Sequence, residues 1–191
     1  MFVLGIDTET TGVNAQAKVV ELGMILVDAK TWDTVQSFVT KVNPGIPIPP
    51  ETTAIHGISD ADVVSAPTIE EVFETSPFRD WLKKSDSVFG HNVVFDIRKL
   101  GEEWFVGKPV IDSLKIVRYQ FRTWSSHKLS SCIASLNLPV RDAHNALDDI
   151  ESSREILKFF SENYGLDIDG LKNFTTNAKS KLLKELHGDN L

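Results

Sequence analysis

The first apolar run, Val3-Leu4-Gly5-Ile6, is short and dense, and the segment that continues from it is closed by Gly12, the pattern of a buried central strand. Side chains alternate across a strand, so the polar positions Asp7 and Glu9 share a face. A polar loop is expected over Val13–Lys18, followed by Val19–Asp28, apolar at nearly every position, as in a strand covered on both faces. After the turn Asp28-Ala29-Lys30, Val35, Phe38, Val39 and Val42 predict a third strand over Thr34–Val42. Connections this short suit an antiparallel meander that begins with the Asp7 strand.

Asn43–Pro50 holds four of the eight prolines and leaves the sheet as an extended segment, with Ser59 and Asp60 as candidate helix caps beyond it. Thr68–Leu82 is helical in period and split or kinked at Pro77. A short strand follows at Ser87–Gly90. Val93, Ile97, Leu100 and Trp104 then form one helical stripe between Asn92 and Trp104, with Asp96 at its edge. Val110–Asp112 reads as a strand, and Ser113–Tyr119 and Leu129–Leu136 as helices. Between these two helices, Phe121, Trp124, His127 and Lys128 interleave aromatic and basic groups; they suit either packing or base stacking with phosphate contact. A helix opens near His144 and reaches about Glu162, with Asp149 on its apolar face and Asp148 on the opposite one. Leu171–Leu186 is an amphipathic tail helix that docks on this domain or on a partner. Strands, then helix-strand-helix, then helices indicate a mixed α/β layered fold.

At 191 residues one compact domain is expected, with a small terminal appendage: 1–165 as the domain and 166–191 as the tail. The single cysteine, Cys132, forms no internal disulfide and suits a reducing compartment. No apolar stretch approaches the ~20 residues of a membrane span. The N-terminus enters a strand directly, without a charged leader, and the chain is read as cytoplasmic. A net charge of −7 argues against indiscriminate binding to a nucleic-acid backbone, yet cations held by carboxylates make a locally positive site.

Asp7 and Glu9 side by side repel one another, and burial raises the cost. Taken alone, the pair describes a polar strand end in solvent. With Asp96 and Asp149 facing inward from two helices, four carboxylates surround one pocket. Such a set can hold two divalent ions about 4 Å apart for in-line attack at a phosphodiester. Mg²⁺ and Mn²⁺ prefer hard oxygen ligands of this type. A histidine close by, His144, suits the proton-accepting role for the attacking water.

Three segments carry a family likeness: Asp7-Thr8-Glu9-Thr10-Thr11-Gly12, His91-Asn92-x-x-Phe95-Asp96 and His144-x-x-x-x-Asp149. Together with Ile55-His56-Gly57-Ile58, Val110-Ile111-Asp112-Ser113 and Leu129-Ser130-Ser131, they resemble the motifs of the DEDDh, or DnaQ-like, 3′→5′ exonucleases over about residues 2–160. The resemblance implies an α/β, RNase H-like mixed sheet flanked by helices, its first three strands antiparallel. It implies that Asp7, Glu9 and Asp149 bind one metal and that Asp7 bridges to a second, served by Asp96 largely through water. His144 is then the general base, and the product a nucleoside 5′-monophosphate from the 3′ end of single-stranded or frayed nucleic acid. It further suggests Thr10, His56 and Asn92 as substrate-side residues. Asn92 equally suits a cap on the helix bearing Asp96, and His56 a loop-packing role; His91 reads as structural, and Asp112 as a strand end or cap. DNA is the favoured substrate, with a DNA polymerase or other replication protein as a partner. RNA trimming by the same chemistry is the alternative, and a third reading is a non-catalytic adaptor, whose mark would be loss of an acidic motif residue.

Overall fold

A computed structural model of the chain describes residues 1–141 and 144–176. Its centre is a five-stranded sheet in the order β3-β2-β1-β4-β5. The strands are β1 Phe2–Thr10, β2 Val19–Asp28, β3 Thr34–Lys41, β4 Ser87–Gly90 and β5 Val110–Asp112. The first three form the expected antiparallel meander, and β4 and β5 then run parallel to β1. The helices are α1 Pro50–His56, α2 Asp60–Val63, α3 Ile69–Thr75, α4 Phe78–Lys84, α5 Val94–Leu100, α6 Ser113–Gln120, α7 Leu129–Ser135, α8 Ala146–Tyr164 and α9 Ile168–Thr176.

The two faces of the sheet carry separate cores. Leu4, Ile6, Leu22, Met24 and Val88 pack against Phe73, Phe78 and Trp81 of α3 and α4 and Ile97 of α5. Val3, Ile25, Phe89 and Ile111 pack on the other side against Ile116, Ile133, Ile150 and Phe160 of α6, α7 and α8. Strand alternation therefore assigns Asp7 and Glu9 to the α8 face, and Thr8 to the α5 face. Apolar burial on both faces, at about 25 cal/mol per Å², is what fixes this register.

Several boundaries differ from the pattern-based reading. The stripe Val93–Trp104 is inward throughout, but its helix stops at Leu100 because Gly101 adopts φ 101°, a conformation that disfavours other residues. A 3-10 turn, Glu102–Phe105, then delivers Trp104 onto the Phe73 and Phe78 rings. The proline segment Asn43–Pro50 is not extended to its end. Pro50 starts α1 at a position where its missing N–H costs nothing, and Gly57 closes it in the left-handed region. The break at Pro77 falls between α3 and α4 as expected, and Ser59 caps α2 reciprocally with Asp62.

The tail helix starts earlier than its periodicity suggests, and its described part docks on the domain. Ile168 and Leu171 of α9 are buried, and the Asp112 amide of β5 donates to Thr175 Oγ1 at 3.0 Å. The rest of the expected tail, with Ala178, Leu182 and Leu186, lies outside the described residues. Among the described residues no helix is long and apolar enough to cross a membrane.

Candidate active site

The site forms where β1 outruns its neighbour. β4 pairs with β1 only through Val3, Leu4 and Gly5, and leaves the sheet at Gly90. Beyond that point one edge of β1 is open, at the carboxyl ends of parallel strands, where α/β sheets build their crevices. A carboxylate takes the vacated place. Asp96, from the first turn of α5, accepts the Thr8 amide at 3.0 Å and the Thr8 hydroxyl at 2.6 Å, both on Oδ1. It is 4% exposed, so these bonds hold its charge inside the protein.

On the other face, α8 comes down onto the strands through two glycines. A Cβ on Gly23 would lie 2.6 Å from the Ala146 carbonyl carbon, and one on Gly5 would lie 2.7 Å from the Ile150 side chain. Gly23 stands opposite Asp7 in the β1–β2 register, so the start of α8 rests beside the strand carboxylates. That approach brings Asp149 to Glu9. One ligand-type atom each from Glu9, His144 and Asp149 lies within 4.8 Å of the other two. Asn145 caps α8 by accepting the Leu147 amide at 3.0 Å, and His144 just before it has φ 66°. Asn92, just ahead of α5, has φ 67°. Left-handed backbone costs a non-glycine residue on the order of 1–2 kcal/mol, and here it recurs at two of the predicted site residues.

Charge of one sign dominates the cluster. Burial, then Asp96, Asp149 and Glu9, push the Asp7 carboxyl well above its usual range. Burial and the Asp149 charge raise Glu9 to about 7. Burial raises Asp96 to about 7 against the lowering effect of the Thr8 hydrogen bonds. Burial also raises Asp149, opposed by the His144 charge and by the His144 backbone N–H bonded to it. Among the described residues no lysine or arginine forms an ion pair with any of these four. Unpaired carboxylates converging on one opening, with an imidazole beside them, are a donor set that fits hard divalent cations.

The substrate-side candidates separate. His56 Nδ1 accepts the Ile58 amide at 3.0 Å, which leaves the proton of the neutral ring on Nε2. That buried nitrogen makes no hydrogen bond of good geometry; burial lowers the ring's pKa, and the Thr10 backbone carbonyl beside it acts in the opposite direction. The Thr10 hydroxyl donates to the Gly12 carbonyl at 2.7 Å, closing the strand-end turn. Asn92 does not cap α5: its side chain is exposed, and its amide is fixed by Asp112 Oδ1 at 3.0 Å. Asp112 both ends β5 and caps α6 through the Leu114 amide. His91 is structural, with its ring between Ser113 Oγ and the His127 carbonyl at 2.9 Å each. Phe121 and Trp124 stack on each other at 4.3 Å, so the aromatic part of that loop packs. A cleft of about 1030 Å³ runs from His144 and Asp149 past Asn92 to Arg118 and Lys128.

Two residues at the site carry roles that the sequence reading does not assign. Thr8 secures Asp96, and Glu21, opposite Glu9 on β2, accepts the Ala146 amide at 3.1 Å. For Glu21 the signal is a lone carboxylate inside the apolar run Val19-Val20-Glu21-Leu22.

Residues 4–157 match the family model RNase_T, described as an exonuclease family. The chain belongs to this exonuclease family. Its likeness extends to the DEDDh-type members of the RNase H-like superfamily. The chain is 32% identical over 159 residues to a PolC-type DNA polymerase III of Clostridium perfringens (strain 13 / Type A), covering 80% of this chain and 11% of that one. It is also 32% identical over 158 residues to a DNA polymerase III subunit epsilon-like protein of Rhodobacter capsulatus, covering 78% and 22%. The exonuclease chain thus spans from about a tenth to a fifth of these relatives. Among solved structures, Exonuclease X in complex with 5′ overhanging duplex DNA superposes with a TM-score of 0.75 at 26% identity. That match covers 91% of this chain and 99% of the other. The Escherichia coli ExoI–ssDNA complex shares the fold, with a TM-score of 0.71 at 17% identity over 86% of this chain and 41% of that one. The family match and both sets of relatives therefore agree on an exonuclease domain over most of the described chain.

Proposed function

We propose that the protein is a 3′→5′ exonuclease that releases nucleoside 5′-monophosphates from the 3′ end of single-stranded or frayed DNA. The observation that carries this reading is the convergence of Glu9, Asp149 and His144 within 4.8 Å beside Asp7, at the open end of β1. Asp7, Glu9 and Asp149, with Asp96 on the far side of the strand, would hold two divalent cations, Mg²⁺ or Mn²⁺. Bound there, such ions neutralise phosphate charge and acidify an attacking water. His144, whose ring reaches to within 4.8 Å of the Glu9 and Asp149 carboxylates, accepts the water's proton on an imidazole nitrogen. Asp96 acts from Thr8's grip and keeps its charge aimed at the same opening. His56 Nε2–H, beside the Thr10 backbone at the strand end, is a donor that can turn to the terminal nucleotide. The exposed Asn92 amide group faces the cleft that leads to Arg118 and Lys128, a path for the preceding phosphates.

Similarity to polymerase relatives supports a proofreading role beside a DNA polymerase, and similarity to Exonuclease X, solved with 5′ overhanging duplex DNA, supports action at a DNA end. A cytoplasmic setting completes the reading; the one cysteine, Cys132, is buried and unbonded. All four acidic motif residues are present, which is the opposite of the adaptor's mark.

The test uses matched 5′-labelled single-stranded DNA and RNA oligonucleotides with Mg²⁺, Mn²⁺ or EDTA, with His144→Ala protein alongside. The expected result is a metal-dependent ladder shortening from the 3′ end, faster on DNA and lost in the variant. Faster cleavage of RNA would replace the substrate assignment, and immediate release of the 5′ label as a mononucleotide would overturn the direction.

A further inference from the structure

The first amide of α8 has an unusual partner. Asn145, the N-cap, accepts the Leu147 and Asp148 amides at 3.0 and 3.4 Å, which leaves the Ala146 amide without a partner from the helix itself. A side chain from another element takes it. Glu21, 8% exposed in the middle of the sheet, accepts that amide on Oε2 at 3.1 Å. Two residues along the same strand and face, Gly23 leaves space for the Ala146 backbone, where any Cβ would collide. β2 thus holds the start of α8 by a hydrogen bond at Glu21 and by close contact at Gly23. Asp149 lies one turn beyond the held residue and His144 two residues before it.

The arrangement has an electrostatic cost. Glu21 stands opposite Glu9 in register, and its charge adds to those that oppose ionisation of Glu9 and Asp7. A fifth carboxylate crowding four others is a poor choice for stability alone. The helix N-terminus offsets part of that cost, because its exposed N–H groups favour an anion.

We propose that Glu21 is a positioning residue: it latches the first turn of α8 to β2 and so sets the distance of Asp149 and His144 from Asp7 and Glu9. It touches neither substrate nor the reacting atoms. Its role rests on the exonuclease reading above, and it assigns to β2 a part in building the site that the strand and helix motifs do not carry.

Glu21→Met tests it, since methionine fills the same space without an acceptor. Glu21→Gln is the rescue, because its amide oxygen still receives the Ala146 N–H. Both proteins are checked for folding by circular dichroism and thermal melting. In the metal-free state, exchange of the Ala146 amide is read by NMR, and Mn²⁺ binding by calorimetry; kcat and KM are then measured with Mg²⁺. The expected result for Glu21→Met is exchange at Ala146 about tenfold faster and Mn²⁺ affinity and kcat about 10- to 100-fold lower, with KM little changed. Glu21→Gln should recover most of each. A role confined to stability would lower the melting temperature and leave Mn²⁺ affinity untouched, and that outcome overturns the proposal. So does a glutamine variant as impaired as methionine, because the charge rather than the latch would then matter. Amide exchange and Mn²⁺ binding need no turnover, so a wild-type protein without nuclease activity would refute the function above while still reporting on the latch.

Discussion

Asp7 shows how strongly the metal-free site works against its own fold. Its neighbours Asp96, Asp149 and Glu9 are all acidic, and burial removes the water that would screen them. In an unfolded chain these carboxyls ionise near 4; in the fold Glu9 and Asp96 keep their protons up to about 7. Between those limits the folded protein binds more protons than the unfolded one, so stability falls as pH rises from about 4 to about 7. Glu9→Gln should therefore stabilise the metal-free protein at pH 8, on the order of 2 kcal/mol, and have little effect at pH 4. Denaturant melts at the two pH values in EDTA measure this. Adding Mg²⁺ at pH 8 should raise the wild type more than the variant, since the cation supplies the missing countercharge. Asp7→Ala should abolish turnover while the circular dichroism spectrum stays native. Wild-type activity in that variant would refute the two-metal assignment.

At the scale of elements, the site is a matter of how close α8 lies to the sheet. The glycine at 23 sets that distance, because a methyl group there would meet helix backbone at 2.6 to 2.8 Å, and backbone cannot swing aside. Gly23→Ala should cost about 1–3 kcal/mol of stability through overpacking. It should also lower kcat by about a hundredfold, the scale of loss that a shift of about 1 Å can cause. Kinetics beside a crystal structure of the variant would check both; an unchanged kcat with α8 displaced would mean that the spacing is not critical. Spacing of this kind is only partly written in the residue pattern. The strands, their meander and the inward stripe Val93-Ile97-Leu100-Trp104 are legible because burial imposes a period. Gly101 ends that stripe's helix through a backbone angle, which periodicity does not encode. Asp7, Glu9, Asp96, His144 and Asp149 are legible as motif residues. That Asp96 reaches the site from the opposite layer, through Thr8, follows from where β4 stops, a long-range fact of pairing. Asn92 as a cap is a sound local expectation, overridden when Asp112 fixes its amide from another strand.

For the whole molecule, a net charge of −7 has to be reconciled with the polyanionic substrate proposed above. Two features of the charge distribution address it. The acidic cluster attracts cations that invert its local field, and the cleft leading away from it carries Arg118 and Lys128, neither in an ion pair among the described residues. Affinity should then depend on metal at one end of the cleft and on salt along its length. Removing metal with EDTA should abolish binding of a short labelled single strand, measured by fluorescence anisotropy, because phosphate would then face bare carboxylates. With Mg²⁺ present, KM for single-stranded DNA should rise steeply with salt. Each phosphate contact contributes a slope of about 0.7 on a double-logarithmic plot for single strands. Lys128→Ala and Arg118→Ala should each raise KM at low salt and flatten that slope by about one contact, leaving kcat nearly unchanged because their proposed contacts are to phosphates and not to the carboxylates and imidazole that act on the scissile bond. Variants that keep the wild-type slope would place the phosphates elsewhere and separate this cleft from the path of the chain being degraded.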